Sequence, residues 1–111
     1  MDYTINSYYV YVVGVDTKDL KRGLVVLSNL DAALEQIIQM LVFYFKHGFY
    51  LDQTIMIEMI KNNWSFKNYF SAQYTDQGKL LIPLLKCGGI SKTIFLERHF
   101  VSKEAVSCET E

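Results

Sequence analysis

The chain has 111 residues, 50% hydrophobic and 21% charged, with a formal net charge of −1, a size that supports one core rather than two. Its longest strongly apolar run, Ile37 to Phe45, is interrupted by Gln39 and ends at Lys46, well short of the roughly 20 residues of a spanning helix. Cysteine occurs only at Cys87 and Cys108, too few for a disulfide framework, and Met1-Asp2-Tyr3 opens no secretory signal, so the expectation is a cytoplasmic chain with no membrane contact.

In Ser7 to Val15, SYYVYVVGV, alternation sends Tyr9, Tyr11, Val13 and Val15 to one face and Tyr8, Val10, Val12 and Gly14 to the other. Both faces are mostly apolar, which predicts an interior strand covered on both sides. A charged turn from Asp16 to Gly23 leads to a second short strand, Leu24 to Leu27. Ser28 followed three residues later by Asp31 predicts a capped helix start, and Leu30, Ala33, Leu34, Ile37, Ile38, Leu41, Tyr44 and Phe45 recur at helical spacing until Gly48, a natural stop. Asp52 caps a second helix to about Asn62, with a wide apolar arc that includes Ile55, Met56, Ile57, Met59 and Ile60.

Trp64 to Phe70 fits either a helical turn or a strand start. Beyond it, Tyr69 to Thr75, the turn Asp76-Gln77-Gly78 and Lys79 to Leu85 predict a hairpin whose second arm is an edge or bulged at Pro83. Cys87-Gly88-Gly89 forms another turn before a last strand, Lys92 to Val101. The expected fold is α+β: a mostly antiparallel sheet with elements in the order ββααβββ and two helices packed on one face. Residues 1–101 form a single domain in this reading, and residues 102–111 a flexible acidic tail.

Charge is unevenly distributed. Between residues 61 and 103, Lys61, Lys67, Lys79, Lys86, Lys92, Arg98 and Lys103 face only Asp76 and Glu97. Phosphate binding requires positive charge gathered on one surface, which makes Lys67, Lys79, Lys86, Lys92 and Arg98 the candidate nucleic-acid contacts. Against that use, arginine, the residue that reads bases, occurs there once, and residues 1–17 offer no cation beside their tyrosines. His47, His99, Cys87 and Cys108 have none of the compact spacings of a zinc site. Glu97 and His99 share a strand face as a surface ion pair, and Cys87 lacks an orienting base, so no metal, cofactor or catalytic residue is expected.

Phe43 is the anomaly of the first helix, a large ring among Glu35, Gln36, Gln39 and Lys46 on the polar side. With Val42 beside it, Ile57 on the second helix, and Tyr9 and Tyr11 on the first strand, it forms the candidate set for contact with a protein partner. The expected function is a small non-enzymatic protein-binding module, self-associating as a homodimer or larger homo-oligomer. Nine lysines to two arginines suggest AT-rich coding, which fits a phage or mobile-element protein that inhibits a host enzyme such as a defence nuclease. The alternative is a nucleic-acid-binding module using residues 61–103.

Overall fold

The computed structural model describes residues 7–17 and 21–102. The elements run ββαβααββ: β1 (Ser7–Asp16), β2 (Lys21–Leu27), α1 (Leu30–Lys46), β3 (Tyr50–Leu51), α2 (Gln53–Asn62), α3 (Phe66–Gln77), β4 (Leu80–Lys86) and β5 (Gly89–Ser102). The strands form one antiparallel sheet ordered β2-β1-β5-β4-β3, so the class is α+β as expected. The first and last strands pair at its centre, from Ser7 opposite Ser102 to Asp16 opposite Thr93. Of the expected acidic tail, residues 103–111 lie outside the described residues.

The expected order ββααβββ is corrected in two places. Tyr69 to Thr75 is not a strand but the body of α3, a third helix. Its aromatic residues suit strands, yet Phe66, Tyr69, Phe70 and Tyr74 also recur at helical spacing. The ends decide: the Ser65 hydroxyl accepts from the Asn68 amide at 3.2 Å, and Gly78 closes the helix in the left-handed region at φ 76°. The second correction is β3, two residues pairing Tyr50 with Leu85 and Leu51 with Leu84, too short to leave a pattern.

The start of α1 is also corrected. Asn29, not Ser28, is its N-cap, with its side-chain oxygen accepting from the Ala32 amide at 2.8 Å. The far end behaves as expected at Gly48, whose φ is 87°. The Phe49 amide donates to Tyr44 and the Gly48 amide to Phe45, a Schellman closure sealed by the Tyr44 and Phe49 rings 5.2 Å apart. Asp52 caps α2 as expected, accepting from the Thr54 amide at 2.9 Å.

Alternation along the strands places the core. Val13 and Val15 of β1, Ile94 and Leu96 of β5, and Leu80, Ile82 and Leu84 of β4 join Ala33, Leu34, Ile37 and Leu41 of α1 and Phe70 and Tyr74 of α3 in one buried cluster. β1 is an interior strand as expected, between β2 and β5, but among the described residues helices cover only one of its two faces. The buried side chains of α1 and α3 meet the Val13 and Val15 face, while Tyr8 on the opposite face is 51% exposed. On that second face Phe95 lies across Gly14, so closely that a Cβ there would stand 2.8 Å from its Cζ and 2.7 Å from Cδ2 of Leu24.

Pro83 sits where its missing donor costs least. β3 pairs only with Leu84 and Leu85, so β4 has no outer neighbour at Pro83, and the register with β5 shifts between Leu84 and Leu85. The tight β4–β5 turn has Cys87 at φ 55° and Gly88 at φ 85°, both positive as a two-residue hairpin loop demands.

Candidate functional site

The candidate partner contacts fall into separate places. Tyr9 and Tyr11 share a face, as alternation requires, and long-range pairing adds two residues that local sequence does not connect with them: Tyr9 stands opposite Phe100 and Tyr11 opposite Arg98. The Tyr9 and Phe100 rings meet edge to face at 5.3 Å, and the Arg98 guanidinium lies 4.1 Å from the centre of the Tyr9 ring. Tyr11 turns inward against Tyr74 at 6.2 Å, and burial raises the Tyr74 hydroxyl above its ordinary pKa. Tyr9, Arg98 and Phe100 thus form an exposed cluster at one end of the sheet, and half-buried Tyr11 is its footing.

Phe43 projects from α1 at the opposite end of the β1–β2 hairpin. Its ring is 55% exposed and lies 4.3 Å from the His47 ring, whose Nδ1 is 2.8 Å from the Phe43 carbonyl. It walls a groove of about 280 Å³ with Val15, Gly23, Gln36, Gln39, Met40 and Tyr44. Val42 is exposed on the next position of the helix. Ile57 belongs to another surface, the outer side of α2, with Met56, Ile60 and the adjoining Trp64, while Ile55 and Met59 of the same helix turn inward.

A further apolar surface went unforeseen, because covered strands were expected on both sides. Leu24 and Val26 of β2, Val12 and Gly14 of β1, Phe95 of β5 and Leu81 of β4 form a band across four strands on the face opposite α1 and α3. Leu24, Val26 and Leu81 are each more than half exposed. The signal for it was the second apolar phase of β1, which says that a face is hydrophobic but not what covers it. Glu97 and His99 lie beside the band, 3.2 Å apart.

The candidate nucleic-acid contacts are not gathered together. Lys67, on α3, bridges Asp31 at 2.6 Å and Glu35 at 2.9 Å on α1, and the hydrogen bonds to these carboxylates raise its pKa above the usual lysine value. Lys86 and Lys92 converge on Phe49, 4.6 Å and 5.9 Å from the ring centre. Arg98 shares the Lys92 face of β5 but lies six residues on, about 20 Å along the strand, with Ile94 and Leu96 buried between them. Lys79 stands apart at the α3–β4 junction.

Among the described residues, no three His, Cys, Asp or Glu side chains are grouped to hold a metal ion, and no helix is long and apolar enough to cross a membrane. Cys87 is exposed on its turn. No protein-family model matches the chain, and no curated protein or solved structure is significantly similar to it.

Proposed function

We propose that this chain is a non-enzymatic binding module that works by protein–protein contact and self-associates. One observation carries the reading: large apolar side chains are exposed in groups, Met56, Ile57 and Ile60 on the outer side of α2 and Leu24 with Val26 on the sheet face opposite α1 and α3. Patches of that kind mark contact surfaces, whereas apolar residues scattered singly do not. Phe43 and the Tyr9, Arg98 and Phe100 cluster add side chains of the types that dominate binding energy when a partner covers them. In a phage or mobile-element setting, such a module would block a host enzyme such as a defence nuclease by covering one of its interfaces.

The test is light scattering behind size exclusion, with ultraviolet absorbance recorded for nucleic acid, at low and high salt. The expected result is an assembly larger than one chain, free of nucleic acid and preserved at high salt, because apolar contact is not screened. The competing reading uses Lys86 and Lys92 as phosphate contacts at the Phe49 end. A single-chain species that carries nucleic acid at low salt, releases it at high salt and loses it on Lys86→Glu with Lys92→Glu would replace the first reading with the second.

A further inference from the structure

Resting on the reading of protein contact, we infer that the free edge of β2 is where a second copy of this chain pairs, β2 against β2, about a two-fold axis perpendicular to the sheet. The two sheets then run on as one, and the two α1 helices meet above the joint.

The edges of the sheet differ in a way that calls for one such pairing. Among the described residues β2 pairs only with β1, so no strand matches the N–H and C=O groups along its outer side. The bulge at Gly23, where the register with β1 shifts and φ is 60°, bends only the start of the strand. Leu24–Leu27 beyond it holds no proline and no charge. The opposite edge is guarded, with Pro83 in β4 and the two residues of β3 across Leu84 and Leu85. A sheet with one open and one guarded edge can be extended once and then stops, because pairing β2 with β2 uses both open edges.

The flank of α1 that overhangs this edge is also unpartnered. Asp31, Glu35 and Phe45 turn to α3, where they meet Lys67 and Phe66. Helical spacing puts Ala32, Gln36, Gln39 and Phe43 on the other side, and the last three share a groove with Gly23 of β2. The sheet ends at β2, so Phe43 stands 55% exposed over the open edge.

That flank complements itself, which names the occupant. A two-fold normal to the sheet sets the two α1 helices antiparallel, whatever angle each makes with its strands. An axis near Ile38 then faces Phe43 of each copy with Ala32 of the other, large against small, and Gln36 with Gln39, whose amides both donate and accept. The groove with Gly23 places this part of α1 at the level of Leu24 and Val25, so the same axis pairs Leu24–Val26 antiparallel with its counterpart. With strands about 4.8 Å apart, helices lying over β1 and β2 stand about 10–14 Å from their symmetry mates, a gap for Phe43 and the glutamines to fill. A foreign strand would match the edge alone; a second copy matches the edge and the flank together.

The experiment combines light scattering of the full chain at high micromolar concentration with amide hydrogen exchange. The wild type should give twice the chain mass, and exchange of the β2 amides should slow as concentration rises. Phe43→Glu and Leu24→Lys, both at positions more than half exposed, each occur twice at the joint. Each should shift the mass to that of one chain, with an unchanged circular dichroism spectrum and β2 exchange that no longer depends on concentration. Ile57→Asp, on the outer side of α2, is the control and stays dimeric. Because one variant is on α1 and the other on β2, loss of fold in one leaves the other as the test. A wild-type monomer overturns the inference. So does a dimer that survives both variants, or one whose β2 exchange ignores concentration; if Ile57→Asp then dissociates it, the protein-contact reading stands and only the edge is wrong. Salt-released nucleic acid on a monomeric chain would overturn both.

Discussion

The two faces of the sheet are made from the same strands, and residue types alone barely tell them apart. On one face, Val13, Ile94 and Leu96 are wholly buried under α1 and α3, while on the other Leu24, Val26 and Leu81 remain 56–63% exposed. The difference lies in what the rest of the chain supplies. α1 and α3 give their buried side chains to the first face, and α2 turns only Ile55 and Met59 inward. An apolar phase along a strand therefore marks a surface that avoids water, and the cover can come from outside the chain.

The contrast is most directly broken by truncating equivalent leucines. Leu96→Ala empties a site with no solvent exposure and should cost about 2–5 kcal/mol in unfolding free energy, through lost burial and the cavity left behind. Leu24→Ala, in the dissociated protomer, should stay within about 0.5 kcal/mol because water already reaches that side chain. Urea denaturation at low protein concentration reads both. Similar costs would mean that the second face is buried in solution even in the single chain.

A middle-sized effect comes from Gly14, where the second face is packed tightly. Gly14→Ala would place a methyl group within 3 Å of both the Phe95 ring and Leu24. Leu24 is exposed and can swing away, but Phe95 is 2% exposed and must shift with its surroundings, so the expected cost is about 1–3 kcal/mol. Thermal denaturation checks it. A neutral outcome would show that Phe95 moves freely, and the contrast between a fixed face and an open one would sharpen.

Which parts of this arrangement are legible in sequence follows from the range of the forces that set them. The bodies of α1 and α2 are legible because both carry local caps and a helical apolar stripe, though the neighbouring polar pair Ser28 and Asn29 leaves the capping residue open by one position. α3 is masked by strand-prone aromatics, even though Ser65 and Gly78 bound it as clearly as any helix here. β3 exists only because Leu84 and Leu85 are already held in place by β5. For the candidate contacts, Phe43 is visible as a ring on a polar helix face. The link of Tyr9 to Phe100 and Arg98 is not, because it depends on pairing the two ends of the chain. The separation of Lys92 from Arg98 is likewise set by the helix layer over Ile94 and Leu96 between them.

The smallest expected effect concerns how the helix layer on the covered face holds together. Lys67 ties α3 to Asp31 and Glu35 at the start of α1, in an exposed and salt-screened position. Its pKa is raised in the folded state by the hydrogen bonds to Asp31 and Glu35. The bridge therefore contributes fully below the ordinary lysine pKa and is lost as pH rises through the raised value. Lys67→Gln should lower the urea midpoint slightly at neutral pH and low salt, with the difference shrinking in high salt and vanishing at strongly alkaline pH. Asp31 retains a favourable place in the first turn of α1 in either case, which keeps the loss small. A loss at neutral pH as large as that of Leu96→Ala would mean that ion pairing, rather than burial of Leu34, Ile37 and Phe70, fixes the helices to their face of the sheet.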